Sequence, residues 1–193
     1  MNFLAHLFLS GNDQDLMIGN FIADYVKGQK KELFPPTIKK GIELHRAIDN
    51  FTDHHPITDE SKSRLRPIYH KYSGVIVDIY YDHFLAKNFS DYSSIPLQKY
   101  VQDVYTLLSD NQHQLPDDIK LFLPYMIEKN WLYNYQSIEG IARTLTGLSK
   151  RVSFENKMDE AVIELKKDYE LFENEFARFF PQLITFANGF PHQ

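Results

Sequence analysis

The chain has 193 residues, 43% hydrophobic and 24% charged, proportions that suit one globular domain over 1–193 with a core large enough to need no staples. It contains no cysteine, which excludes disulfides, zinc–thiolate sites, iron–sulfur clusters and a cysteine nucleophile, and leaves His, Asp, Glu and water as donors for any metal. A formal net charge of −5 argues against a nucleic-acid binder, which needs a basic field.

The chain opens Met1-Asn2-Phe3-Leu4-Ala5-His6-Leu7-Phe8-Leu9, an apolar run without a basic start, broken by a histidine and then by Gly11-Asn12-Asp13. It is too short and interrupted for a signal peptide or membrane span, and no later stretch is long enough. The protein is therefore read as cytoplasmic, native from its first residue and without a membrane partner.

Helical spacing dominates the rest of the chain. Residues 13–26 carry Leu16, Met17, Phe21 and Ile22 at helical intervals, with Gly28 as a stop. Pro35-Pro36-Thr37 opens a long second helix whose inward stripe includes Ile38, Ile42, His45, Ile48 and Thr52, and Pro56 ends it. A third helix is predicted over 59–72 and a fourth over 74–87, with Ser73 as its N-cap. Further helices are predicted over 97–108, 116–131 with a bend near Pro124, 137–148 capped by Ser137, and 154–180, interrupted by Pro181. Alternating β patterns are nearly absent, and 90–96 reads as a loop. The fold class is all-α. With 15 Phe and 12 Tyr, the core is expected to be strongly aromatic.

The informative residues are polar ones at positions that should be apolar. They are His6 in its apolar run, Asp24 after Phe21-Ile22-Ala23, His45 with Asp49 one turn later, and Asp82-His83 with Asp78 one turn earlier. Residues four apart share a helix face, so His45/Asp49 and Asp78/Asp82 each point one way. A buried carboxylate is costly unless paired or bound to a cation. A metal-bound imidazole also needs its second nitrogen fixed, a role open to Asp49 or Asp78.

Taken singly, each has a bland reading: His6 as a core histidine, Asp24 as a cap, Arg46 with Asp49 or Asp53 as ion pairs. His54 and His55 lie at a helix end, and His70, His113 and His192 read as surface. Four inward polar clusters within the first 83 residues favour one shared metal or phosphate site. No Gly-x-Ser-x-Gly elbow, phosphate loop or dinucleotide fingerprint offers another chemistry.

The same residues carry a resemblance. Asn2-Phe3-Leu4-Ala5-His6-Leu7, Gly19-Asn20-Phe21-Ile22-Ala23-Asp24-Tyr25-Val26-Lys27-Gly28, Phe34-Pro35-Pro36, Gly41-Ile42-Glu43-Leu44-His45-Arg46-Ala47-Ile48-Asp49 and Asp78-Ile79-Tyr80-Tyr81-Asp82-His83-Phe84-Leu85 stand in an order that resembles the acyl carrier protein phosphodiesterase (acyl carrier protein hydrolase) family. That resemblance implies a divergent HD-type metal phosphohydrolase, all-helical and Mn-dependent. It would remove 4′-phosphopantetheine from holo-acyl carrier protein. The Asp82-His83 order is the reverse of the usual HD doublet, so the ligand expectation rests on the inward faces.

On that basis Asp24, His45, Asp82 and His83 are expected to hold one or two divalent cations. His6 or Asp49 would orient water or protonate the leaving serine, and Arg46 would bind a phosphate oxygen. An acidic carrier protein needs local positive charge, and Lys27, Lys30, Lys31, Lys39 and Lys40 surround a loop in which Glu32 is the only acidic residue. Two rivals remain at this point: an HD-type phosphohydrolase acting on a nucleotide or other small phosphorylated metabolite, and a non-catalytic helical module.

Overall fold

The computed structural model describes residues 1–191, among which there are helices and no strand. His192 lies outside the described residues. The helices are α1 (Phe3–Phe8), α2 (Gln14–Ile22), α3 (Pro36–His54), α4 (Pro56–Tyr69), α5 (Ser73–Lys87), α6 (Leu97–Asp110), α7 (Asp117–Glu128), α8 (Trp131–Asn134), α9 (Ile138–Ser149), α10 (Val162–Lys167) and α11 (Tyr169–Asn188). None is long and apolar enough to cross a membrane.

Several boundaries follow from local chemistry that the sequence displays. Asp13 caps α2 by accepting the Leu16 N–H at 3.0 Å, and Ser137 caps α9 by accepting from Gly140 at 3.0 Å. Pro36 starts α3, where a missing N–H costs nothing. The apolar opening is itself a short helix, α1.

Other expectations need correcting. Ser73 is not a cap: its backbone is already helical (φ −56°, ψ −35°), and Tyr72 stands at the cap position. The helix expected over 116–131 ends at Glu128, because Asn130 takes a left-handed conformation (φ 49°, ψ 51°) and separates α7 from α8. The long helix expected over 154–180 does not exist as one piece. The Asn156 side chain donates to the Ser149 carbonyl and accepts the Met158 N–H, both at 3.2 Å, so it holds a turn where a helix would start. Asp168 then turns the chain between α10 and α11.

Pro181, expected to interrupt the last helix, lies inside α11, which continues to Asn188. An interior proline costs about 3 kcal/mol. Phe179, Phe180 and Leu183 are fully buried around it, and each such side chain contributes roughly 1.5–3 kcal/mol. Packing outweighs the lost hydrogen bond.

The core is aromatic as composition suggests. Tyr80, Tyr81, Phe84, Phe172, Phe176, Phe179 and Phe180 are buried between α5 and α11, with Phe176 and Phe180 stacked at 4.9 Å.

The closest helix contact matters most for function. A Cβ on Gly19 would lie 2.1 Å from the Ile38 carbonyl oxygen, and one on Gly41 would lie 2.2 Å from that of Leu16. Only glycines let α2 and α3 approach this far. Gly41→Ala should therefore lower stability by about 1–3 kcal/mol. Denaturant unfolding reads this directly, and unchanged stability would show that the two helices separate without cost.

Candidate metal centre

The crossing of α2 and α3 sets Asn20 against the inner face of α3. Asn20 is fully buried, and its amide nitrogen donates to the His6 carbonyl at 2.7 Å and to Ser10 Oγ at 2.9 Å. Those bonds fix the amide, so its oxygen faces the histidines. His6 Nδ1 lies 2.9 Å from Asn20 Oδ1, and His45 Nδ1 lies 2.8 Å from the Asn20 backbone oxygen. An oxygen acceptor at Nδ1 puts the proton there and leaves Nε2 as the outward nitrogen of each ring. The rings stack with centroids 3.8 Å apart and an interplanar angle of 13°.

Both Nε2 atoms converge on Asp49. His6 Nε2 is 3.1 Å from Asp49 Oδ1, and His45 Nε2 is 3.2 Å from Asp49 Oδ2. One donor atom from each of His6, His45 and Asp49 lies within 4.8 Å of the others. Asp24 Oδ1 approaches His45 Nε2 to 3.2 Å from the solvent side. Asp24 was expected on a buried turn. A short 3-10 turn, Ala23–Tyr25, swings it outward, and its side chain is 69% exposed.

The electrostatics of this cluster are uneven. Burial and the neighbouring His45 push His6 down to about 4, so it is neutral at pH 7. Burial also works against a charge on His45, yet hydrogen bonds to Asp24 and Asp49 prevail and lift it to about 9. Burial works to raise Asp49 too, but the two histidines hold it far below the ordinary carboxylate range.

The neutral His6 ring has a specific difficulty. Besides Asn20 Oδ1 and Asp49 Oδ1, the Met1 carbonyl oxygen stands 3.1 Å from its Nε2. One N–H cannot serve acceptors at both ends, so a lone pair faces oxygens. A cation bound there satisfies all of them. A pair of imidazole nitrogens with a carboxylate, their far nitrogens held by outer acceptors, is a donor set suited to Mn, Fe or Zn.

The structure does not bring Asp82 and His83 into this cluster. Both Asp82 oxygens accept backbone N–H groups at the start of α1, from Leu4 at 2.8 Å and Ala5 at 3.2 Å. Asp82 is wholly buried, which pushes its carboxyl up to about 7 against the pull of those bonds and of the Met1 ammonium. His83 donates from Nδ1 to the Tyr135 carbonyl at 2.7 Å and accepts at Nε2 from the Tyr169 hydroxyl at 2.8 Å, so both ring nitrogens are engaged.

Asp78 does not orient a histidine. It pairs with the Met1 ammonium at 3.1 Å. Arg46 is exposed and donates to the Val26 carbonyl at 3.3 Å, beside the Asp24 turn. His54, His70 and His113 are exposed.

Asn20 is the residue that sequence reasoning missed. Its signal was available, as a lone amide between Ile18 and Phe21 on a helix otherwise buried and apolar from Leu16 to Ile22.

A family profile described as acyl carrier protein phosphodiesterase matches residues 1–183. The chain belongs to the acyl carrier protein phosphodiesterase family. Proteins named acyl carrier protein phosphodiesterase from Escherichia coli O9:H4 (strain HS) and Escherichia coli (strain SMS-3-5 / SECEC) are each 32% identical to it over 193 residues, covering 97% of this chain and 98% of the relative. No solved structure matches the chain. The centre thus sits in a family of hydrolases that act on phosphodiester bonds.

Proposed function

We propose that the chain hydrolyses the phosphodiester joining 4′-phosphopantetheine to the carrier serine of holo-acyl carrier protein, at a divalent-cation centre built by His6, His45 and Asp49, with Asp24 completing it from the solvent side. The observation that carries this reading is the convergence of two outward Nε2 atoms on Asp49 while Asn20 holds both Nδ1 atoms. We read the centre as a divergent HD-type one and the cation as manganese. Such a cation supplies Lewis acidity toward a phosphoryl oxygen and a water of lowered pKa near neutral pH.

The chain's own residues do the rest. Asn20 keeps the two rings parallel and their protons on Nδ1. Asp49 spans both rings and sets their separation. Asp24, at the exposed edge, gives the centre an open side on which a phosphodiester can enter. Arg46, next to that edge, is placed to hold a phosphate oxygen through its guanidinium. Water adds to phosphorus, the bond from phosphorus to the serine oxygen breaks, and the serine takes the proton.

Intact mass of holo-acyl carrier protein incubated with the metal-loaded protein tests this. Loss of the phosphopantetheine mass is expected, and it should stop on chelation and return with Mn. Retention of that mass, with turnover of a nucleotide panel instead, would replace the substrate. Turnover indifferent to chelation would remove the cation from the mechanism.

Carrier docking through the lysine loop is a narrower proposal than the sequence suggested. Glu43 from α3 reaches Lys31 at 3.2 Å, and Glu32 pairs with Lys39 at 3.0 Å, so part of the positive charge is already answered. Lys27 and Lys30 remain for an acidic partner. Reversing both to Glu should raise KM for the carrier protein about tenfold, most strongly at low salt. Hydrolysis of a small phosphodiester should keep its wild-type rate. An unchanged KM would take the loop out of docking.

A further inference from the structure

A cleft of about 670 Å³ opens between α7, α8 and α9, and no step of the proposed reaction uses it. This volume falls in the range of small-molecule sites. Asn2 and Phe3 are among its lining residues, and they directly follow Met1, whose carbonyl contacts His6. A second connection runs through aromatic rings. Tyr25, adjacent to Asp24, packs on Phe122 at 5.5 Å, and Phe122 stacks on Trp131 in the cleft wall at 6.2 Å. The Tyr25, Phe122 and Trp131 rings thus form a packed track from the Asp24 side of the centre to the cleft wall.

We infer that this cleft receives the pantetheine arm of the substrate, so that the phosphodiester lies at the centre and the amide-bearing chain runs between Trp131 and α9. The inference rests on the proposed hydrolysis of holo-acyl carrier protein. Three observations favour such an occupant. The wall joins apolar and aromatic surface to polar groups, with Tyr125 edge-on to Trp131 at 5.8 Å and half exposed. That mixture suits a chain with a dimethyl group and two amides.

Arg143 and Arg151 also line the cleft, and neither forms a salt bridge among the described residues. Arg151 lies over the Trp131 ring at 5.8 Å. Two guanidinium groups without carboxylate partners keep N–H donors for the carbonyl oxygens of the arm's amides. By contrast, Lys129 on the same rim is already paired with Glu128 at 2.7 Å.

The third observation is Gly147. It lies within α9, where glycine weakens a helix relative to alanine. No packing demands it, since a Cβ there would meet nothing within 4 Å. Gly140, two turns earlier on the same face, is different: its Cβ would fall 1.9 Å from the Asn134 carbonyl oxygen. The fold requires glycine at 140 but not at 147. At 147 the missing side chain leaves the cleft floor open.

Gly147→Leu fills the cleft at a site where the helix tolerates a side chain. Trp131 is the only tryptophan, so its fluorescence reports occupancy without any turnover. Titrating pantetheine into the metal-free full chain should give a saturable emission change, weakened at least tenfold by Gly147→Leu. On holo-acyl carrier protein the same variant should lose at least tenfold in kcat/KM, mostly through KM. No saturable change in the wild type, or equal pantetheine affinity in both proteins, overturns the assignment. A wild type that binds pantetheine yet releases no phosphopantetheine from the carrier protein refutes the proposed reaction and leaves the cleft assignment standing.

Discussion

His45→Ala should abolish stoichiometric metal binding and lower turnover on the order of 10³-fold or more, since the lowered water pKa at neutral pH is lost with the cation. The variant removes the one ring that meets both Asp24 and Asp49. Asn20→Leu should be milder and diagnostic. It keeps both rings and their volume but removes the oxygen that holds His6 Nδ1, and outer partners of metal-bound histidines are worth about 10–100-fold in affinity. It should also cost stability, because the His6 carbonyl and Ser10 Oγ lose a buried donor, each worth roughly 1–3 kcal/mol. His83→Gln should keep its metal, since that ring is engaged by Tyr135 and Tyr169 away from the centre. Elemental analysis of the three purified variants, with circular dichroism to check folding, gives the ranking. Metal lost from His83→Gln and retained in His45→Ala would restore Asp82-His83 as ligands and displace the cluster of His6, His45 and Asp49.

Much of the helical layout was legible because helix signals are local. A capping aspartate, a proline pair and a 3.6-residue stripe each act within a turn, and α2, α3 and α9 begin where those signals stand. Pro181 misleads because its penalty is local while the packing that overrides it comes from α5. The centre was half legible. His45, Asp49 and Asp24 announce themselves as polar residues on or beside an apolar face, and His6 as an intruder in an apolar run. What sequence cannot show is which buried carboxylate answers which group. Asp82 looked like a ligand because it is inward and charged, yet it meets the first N–H groups of α1, 77 and 78 residues earlier. Asn20 was passed over because an amide can be satisfied in many ways. Its role comes from the glycine crossing, a three-dimensional contact between two helices that each read as ordinary.

In the metal-free protein the stacked histidines should contribute a term to stability that peaks near pH 6.5, opposed on its acid side by Asp82, whose raised carboxyl keeps a proton between about pH 4 and 7 that the unfolded chain has lost. An unfolded histidine titrates near 6.5. Folded His6 titrates near 4, so between pH 4 and 6.5 the unfolded chain binds a proton that the folded one refuses, and stability rises with pH. Folded His45 titrates near 9, so between 6.5 and 9 the folded chain keeps a proton that the unfolded one has released, and stability falls with pH. The pair holds one proton across that whole window and behaves as a coupled unit. The Met1 ammonium, raised by Asp78 and Asp49 to about 10 despite burial, extends the alkaline decline. The difference in denaturant midpoints between the wild type and His45→Gln, from pH 4.5 to 9.5, should trace the histidine term. His45→Gln should remove the histidine part of the alkaline limb and also shorten the acid one, because it removes the positive neighbour that depresses His6. Manganese should flatten the alkaline limb, since a cation at Nε2 takes the place of the His45 proton and binds more tightly as that proton is lost. An alkaline limb insensitive to both His45→Gln and manganese would mean that the two rings do not share a proton.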